Sequence, residues 1–329
     1  METSKTKRIL WKILEIREVG AVLPLLIAVI LFTAKSDRFL TYDNMINVLR
    51  IASFTMICAI GECYLLISGS WDISIGAVYS LGGVIAGLAM TSMGLPIWLS
   101  TILALVAGGI IGLVNAFLVE KLEMPAFVAT VGTQFIAKGL VQGITKGTPV
   151  YPLPDKFLGV GQTNLQIGSL GIPWVLVIAI VLSIIAGLIL KYTTYGRKIY
   201  AVGGNGEAAR LAGIPTTKIR FSAFILCGIL AALTGVLMAS RLGSAQANIG
   251  NGFEMIVIAG AVIGGISMSG GAGSIFGMAL GAFFMALITN GMTLIKISAT
   301  WQTLVTGAIL ILACSLEYVR NRLKASLNS

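Results

Sequence analysis

Long apolar segments alternate with short polar ones along most of the chain. Each apolar segment approaches the roughly 20 residues that a helix needs to cross the hydrocarbon core of a bilayer. We therefore predict an all-α, polytopic membrane protein with about ten transmembrane helices, or eight or nine if the shorter, glycine-interrupted segments do not span. The predicted spans are 19–34, 47–68, 73–92, 96–119, 125–144, 172–191, 218–240, 253–268, 272–294 and 299–317.

Composition agrees with this pattern. Hydrophobic residues make up 57% of the 329 residues and charged residues only 11%, which leaves too little polar surface to cover a soluble globule. The lysines and arginines behind the net charge of +10 flank the apolar segments and are not interleaved with aromatic residues. The positive charge therefore indicates orientation in membrane lipid, and it does not predict a nucleic-acid partner.

The distribution of basic residues predicts that both termini are cytoplasmic. With both ends inside, fifteen of the 23 basic residues fall on the cytoplasmic side, as the positive-inside tendency requires. We divide the chain into a cytoplasmic N-terminal tail at 1–18, which we expect to be retained because it lacks a cleavage-site pattern, a membrane domain at 19–317 and a cytoplasmic C-terminal tail at 318–329. Two loops are long: a cytoplasmic loop at 191–220 and an outer loop at 145–172, which is rich in proline and glycine and predicts a structured cap or docking loop.

The cytoplasmic loop contains a short predicted helix. Asn205 can cap its first amides, Glu207 favours its positive dipole end, Gly213 supplies a left-handed stop and Pro215 prevents continuation. Because a helix of about two turns is unstable alone in water, it must rest against a partner.

Several classes of chemistry are excluded. The sequence contains no histidine, so hydrolytic dyads and triads built on histidine are ruled out. Its four cysteines lie in apolar surroundings without metal-type spacing, so we predict neither a metal site nor catalytic residues. A phosphate-binding P-loop is also missing, so this chain is not expected to hydrolyse ATP.

Polar and glycine residues interrupt the apolar pattern in two segments, 69–76 and 264–274. Two interpretations stay open: broken helices that border a solute path, or simple cytoplasmic turns between spans. Glu62 is an intramembrane carboxyl group, either a gate or proton site or a neutral group bonded to a neighbouring helix. The candidates for a translocation path are Glu62, Trp71, Asp72, Ser74, Asn115, Gln134, Asn248, Ser267 and Asn290, a mainly uncharged set that suits a neutral polyhydroxylated solute.

Glycines at a spacing of four predict close helix packing. Gly273, Gly277 and Gly281 are expected to share one helical face in the C-terminal half. Similar sets in the N-terminal half are Gly82, Gly83 and Gly87, and Gly108, Gly109 and Gly112.

Three motifs carry a family resemblance: SWDISIG at 70–76, GNGEAARLAGI at 204–214 and GGISMSGGAGSIFG at 264–277. In this order and spacing they resemble the permease subunits of ribose-type bacterial sugar ABC importers, and the resemblance runs from about residue 40 to 320. It implies a multi-pass protein of the bacterial plasma (inner) membrane that pairs with a second permease copy or paralogue. The resemblance also implies an extracytoplasmic solute-binding protein and a separate ATPase subunit that carries ATP and Mg, with no cofactor on this chain.

By the same resemblance, the 204–214 motif matches the family's ATPase-coupling helix. The implied coupling residues are Asn205, Glu207, Ala208, Ala209, Arg210, Gly213 and Ile214. The chain departs from the family pattern at Ser70, where a second glycine is usual, at Trp71, where an aliphatic residue is usual, and at Ala272, often a basic position.

Our hypothesis is therefore an importer in which a separate ATPase drives alternating access. The alternative is an ion-coupled secondary transporter or channel that uses Glu62. An intramembrane enzyme is disfavoured because histidine and paired catalytic carboxylates are missing. The solute, and whether the permease pairs with itself or a paralogue, stay open.

Overall fold

The computed structural model describes residues 19–168 and 170–328, which form helices and one small hairpin. The predicted tail at 1–18 lies outside these residues. The elements in chain order are α1 (Val19–Lys35), α2 (Tyr42–Ile67), α3 (Ile75–Thr91), α4 (Ile97–Glu120), α5 (Ala126–Thr145), α6 (Asp155–Gln162), β1 (Asn164–Ile167), β2 (Leu170–Pro173), α7 (Trp174–Tyr192), α8 (Thr194–Gly204), α9 (Gly206–Leu211), α10 (Thr216–Leu242), α11 (Phe253–Ile263), α12 (Ile275–Leu294) and α13 (Ala299–Asn328).

The helices account for the apolar segments of the sequence. In the part of the chain that the structure describes, five helices are long and apolar enough to cross a membrane, namely α2, α4, α7, α10 and α12. Shorter apolar stretches lie in α1, α3, α11 and α13. A helix coincides with every predicted span, and the predicted all-α polytopic class is confirmed.

One predicted boundary was wrong. The span predicted at 253–268 is the eleven-residue helix α11, which ends at Ile263 because the following glycines adopt turn conformations, with φ of 88° at Gly265. Eleven helical residues reach roughly 16 Å, about half of the hydrocarbon core. The apolar stretch of the last helix, Ala299–Ser315, agrees with the span predicted at 299–317, and the helix continues beyond it to Asn328.

The core lies around α10, which packs along α2, α3 and α4. Glycines permit the approach of α4 and α10: a Cβ at Gly108 would collide with the carbonyl oxygen of Gly228, and one at Gly228 with that of Gly108. The two backbones thus touch directly, which places the buried face of α10 in van der Waals contact with α4.

Glycines also join α11 to α12. Gly277 and Gly281 lie on α12, and a Cβ on either would collide with the carbonyl oxygen of Gly264 or Gly260 respectively. Gly273 does not share this face, contrary to the prediction, because it precedes α12 in an extended segment with φ of 149° and lies against Ile266.

We expect Gly281→Ala to lower the free energy of unfolding by about 1–3 kcal/mol, because the added methyl group overlaps backbone atoms that cannot move independently. Thermal unfolding in detergent measures the change. The matched control is Gly139→Ala on α5, where a Cβ meets no atom within 4 Å. Equal melting temperatures for the two variants would contradict the proposed backbone contact.

The loop at 145–172, which the sequence predicts on the outer side, forms a structured cap that contains α6 and the β1–β2 hairpin. The hairpin is antiparallel, with Asn164 opposite Pro173 and Ile167 opposite Leu170. Ser240, near the end of α10, accepts a hydrogen bond from the amide of Gly161 at 3.0 Å and donates to the carbonyl of Phe157. The cap is thus anchored on the same helix that organises the core.

Candidate functional site

The predicted cytoplasmic helix is present as α9. The side chain of Asn205 caps it by accepting a hydrogen bond from the amide of Ala208 at 2.9 Å. The helix ends as the glycine signal predicts: Gly213 has φ of 79°, and the amide of Ile214 donates to the carbonyl of Ala209 at 3.0 Å. Local sequence therefore determines both ends of this helix.

One side of α9 faces the protein and the other is open. Ala209 is buried, whereas Glu207, Ala208, Arg210 and Leu211 are exposed. Leu211 has 81% of its surface exposed, the largest fraction among the exposed large hydrophobic residues of the described chain. The open side of α9 therefore presents one large apolar side chain among charged and small ones.

A second helix, α8, precedes α9 and was not predicted from the sequence. Its start is capped by Thr193, whose hydroxyl accepts a hydrogen bond from the amide of Gly196 at 3.2 Å. The hydroxyl of Tyr200 donates to the carbonyl of Gly273 at 2.7 Å. The Thr193 cap could have been predicted from the sequence. The contact with the 264–274 segment joins residues that are 73 positions apart, and no local sequence pattern predicts it.

The end of α8 touches both glycine-rich segments through backbone atoms. A Cβ at Gly203 would collide with the carbonyl oxygen of Ile67 and would lie 2.6 Å from the amide nitrogen of Gly271. That amide itself donates to the Ile67 carbonyl at 2.8 Å. Three segments that are distant in sequence therefore meet at one point without intervening side chains. We call this point the backbone junction (Ile67, Gly203, Gly271).

An ion pair lies beside the backbone junction. Arg220, in the first turns of α10, donates to the carbonyl of Ser68 and to the carboxylate of Glu120 at the end of α4, both at 3.1 Å. Arg220 and Glu120 form the single ion pair among the side chains that the structure describes. Sequence reasoning counted Arg220 among the basic loop residues but did not foresee this role.

A buried polar network holds the 69–76 segment. Asp72 accepts hydrogen bonds from the amide and hydroxyl of Ser74, at 2.8 and 2.6 Å, and from the side-chain amide of Asn115 at 2.9 Å. Thr133 of α5 completes the network by donating to the Asn115 carbonyl oxygen at 2.6 Å. All four side chains are buried. This interrupted segment is therefore enclosed by protein and tied to α4 and α5.

Glu62 joins the same region from α2. Its side chain is fully buried, and its two oxygens accept hydrogen bonds from the backbone amide of Asp72 at 3.2 Å and from the thiol of Cys227 at 3.5 Å. Both oxygens thus have protein partners. The arrangement matches the interpretation of Glu62 as a group bonded to neighbouring elements, and a gating role stays a hypothesis.

The 264–274 segment is held by a residue that the sequence did not single out. Glu317 of α13 accepts hydrogen bonds from the hydroxyl of Ser267 at 2.7 Å and from the amide of Met268 at 3.2 and 3.3 Å. The carboxylate therefore fixes this turn to α13, in addition to the bonds within the turn from Ser267 to Ala272 and from Gly270 to Ser267.

The structure brings Glu62, Asp72, Ser74 and Asn115 together but places the other candidate path residues elsewhere. Each of those has its own neighbour. Gln134 donates to Glu254 and Asn248 accepts from Gln142, both at 3.1 Å. Asn290 and Asn44 exchange two amide hydrogen bonds. Ser267 lies at the turn described above, and Trp71 contacts the ring of Phe127.

A bundle of apolar helices with interrupted, protein-enclosed segments and an exposed capped helix defines a transport permease of a membrane. Residues 44–314 match the family described as branched-chain amino acid transport system / permease component. The chain belongs to this family. It is a multi-pass protein of the inner membrane and a transport subunit, not an enzyme.

Similar curated proteins cover nearly the whole chain. The xylose transport system permease of Escherichia coli K12 is 31% identical over 364 residues, 93% of each chain. The ribose import permease of the same strain is 32% identical over 302 residues, 90% of this chain and 92% of its own. The autoinducer 2 import system permease of Photorhabdus luminescens is 33% identical over 312 residues, 92% of each chain. No solved structure gives a significant match.

The resemblance to import permeases of the ribose type is thereby confirmed. A permease of this family carries no cofactor of its own and is one component of a larger transport system.

Proposed function

We propose that this chain is the membrane permease of a binding-protein-dependent ABC importer and that it moves a monosaccharide or a related small polar solute inward. The names of the relatives support this class of solute, since they refer to xylose, ribose and autoinducer 2. The mainly uncharged character of the predicted path residues agrees with a neutral, hydroxylated cargo.

The partner that supplies energy is a separate ATPase, which binds ATP and Mg and docks on α9. The open face of this helix supports the proposal because it offers an exposed leucine beside charged groups. The proposed coupling residues are Asn205, Glu207, Ala208, Ala209, Arg210, Gly213 and Ile214, with Leu211 as the apolar contact.

The backbone junction is the observation that carries this proposal. Because Gly203 contacts Ile67 and Gly271 without intervening side chains, a displacement of α8 and α9 is transmitted to both glycine-rich segments at once. A rigid contact of this kind would let the movement of α8 and α9 open and close the cytoplasmic end of the solute path during alternating access.

The interrupted segments are the proposed cytoplasmic gate. Both adjoin the α8–α9 region, which the basic loop residues assign to the cytoplasm. Trp71 and Ser267 are the path residues within these segments, whereas Asp72 and Ser74 fix the first segment through Asn115.

Two further partners complete the proposal. A second permease copy or paralogue covers part of the membrane surface, where α5 exposes Phe135 and Ile136 together with open glycines. An extracytoplasmic solute-binding protein docks on the cap and on the adjoining loop at 243–252. Tyr151, which is 75% exposed on the cap, suits such a contact.

Exchange of Glu62 for glutamine separates this mechanism from ion coupling. Glutamine keeps an oxygen that accepts from the Asp72 amide, so we expect Glu62→Gln to retain most ATP-driven uptake and to show no response to an imposed proton gradient. Uptake into proteoliposomes with and without ATP, and with and without a gradient, measures both. Proton-driven uptake by the wild type that disappears in Glu62→Gln would favour the secondary transporter.

A further inference from the structure

Two arginines meet beneath the outer cap, far from the α8–α9 region. Asn47, Arg50 and Phe54 lie along one face of α2, at positions i, i+3 and i+7. Arg241, at the end of α10, donates to the side-chain oxygen of Asn47 at 3.0 Å, and its guanidinium lies 5.6 Å from the centre of the Phe54 ring. Arg50 donates to the side-chain oxygen of Asn164, on the cap hairpin, at 2.6 Å.

Neither guanidinium has an acidic partner. Their side-chain acceptors, Asn47 and Asn164, are neutral amides, and in the described ranges 19–168 and 170–328 no carboxylate forms an ion pair with either arginine. The Nε of Arg50 is buried without any hydrogen-bond acceptor. Arg241 contacts Asn47, which lies one helical turn before Arg50 on α2, so the two like charges lie on the same side of that helix.

Such a pair is unfavourable unless something balances it. Two half-buried cations with unused donors, in surroundings of reduced dielectric constant, cost free energy both through desolvation and through mutual repulsion. A single group with several anionic oxygens removes both costs, because guanidinium donors match phosphate and carboxylate geometry.

We propose that Arg50 and Arg241 form a binding site for an oxyanion, a phosphate or carboxylate group held between α2, α10 and the cap. Asn47 and Asn164 orient the two guanidinium groups, and the Phe54 ring forms an apolar wall. Because Asn164 belongs to the cap and Arg241 to the bundle, a bound oxyanion fastens the cap to the bundle.

The oxyanion has two possible sources with the same chemistry: a free anion from the outer solution, or the phosphate of a lipid headgroup. Their effects are separable, since inorganic phosphate acts in lipid-free detergent whereas a headgroup acts only when lipid is added. Thermal unfolding of the full chain with inorganic phosphate, with matched chloride, or with added phosphatidylglycerol therefore identifies the source.

We expect one of the two probes to raise the melting temperature of the wild type by about 2–4 °C above the chloride control. Arg50→Gln and Arg241→Gln should each need about tenfold more probe to reach the same rise in melting temperature, because each substitution removes charged donors. The control Arg38→Gln changes an exposed arginine and should respond as the wild type does. Arg50→Lys keeps the charge but loses the planar fork, so its response should be intermediate.

Each outcome decides the proposal. Stabilisation by phosphate alone assigns a free oxyanion, and stabilisation by phosphatidylglycerol alone assigns a headgroup. If both probes leave the wild type unchanged, or if they stabilise the glutamine variants as strongly as the wild type, the site does not exist. Should the glutamine variants fail to fold, broadening of the phosphate ³¹P signal by wild-type protein, and a smaller broadening by Arg50→Lys, provide the same decision.

Discussion

Replacing Leu211 with arginine is expected to weaken assembly with the ATPase strongly while the permease stays folded. Leu211 is 81% exposed on α9, so in the isolated permease its side chain contributes little to stability. In a docked complex it would be buried, and a charged replacement would have to be desolvated without a partner. A loss of about 2–3 kcal/mol of binding free energy corresponds to roughly a 30- to 150-fold weaker affinity.

Co-purification and titration of the ATPase subunit onto detergent-solubilised permease measure this affinity. Leu211→Met preserves apolar bulk and should bind as the wild type does. Tyr151→Arg makes a similar change at an exposed side chain of the cap, which we propose faces the outer side, and should also leave ATPase binding intact. Wild-type affinity in Leu211→Arg would show that α9 is not the docking element.

Replacing Gly203 with alanine is expected to stop transport by disturbing the backbone junction. The added Cβ collides with the Ile67 carbonyl oxygen and lies 2.6 Å from the Gly271 nitrogen, so backbone segments must separate. Overpacking of this kind costs about 1–3 kcal/mol. We therefore expect a lower melting temperature and a loss of uptake that exceeds any loss of ATPase binding, because α9 itself is unchanged.

The neighbouring residue provides the control. A Cβ at Gly204 meets no atom within 4 Å, so Gly204→Ala should keep both stability and uptake. Uptake and ATP hydrolysis by the assembled transporter are measured side by side for the two variants. If Gly203→Ala transports at the wild-type rate, the junction does not transmit motion.

The helical layout could be predicted because hydrophobic periodicity and length are local properties. What failed was the end of the span at 253–268, where apolar residues continue to Ile266 although the chain leaves the helix after Ile263. Hydropathy does not distinguish a buried turn from a helix when both are surrounded by protein. The two strands of the cap were missed for a related reason, since four-residue strands carry too short a pattern to read.

In the candidate site, too, the local features were predicted from the sequence and the long-range contacts were not. Asn205 and Gly213 act within their own helix, and local capping rules predicted both. Arg220 reaches a carbonyl 152 residues earlier, and Glu317 supports a turn about 50 residues before it. Contacts of that separation depend on how the helices assemble, and no local pattern in a single sequence encodes that assembly.

We propose that α9 transmits work to the permease from a separate ATPase subunit. The most direct measurement is solute uptake by purified permease in proteoliposomes, with the ATPase and ATP present, with the ATPase and no ATP, and without the ATPase. Loaded solute-binding protein is supplied on the outer side in all three. We predict concentrative uptake only when both ATPase and ATP are present. Concentrative uptake by the permease alone would contradict the account.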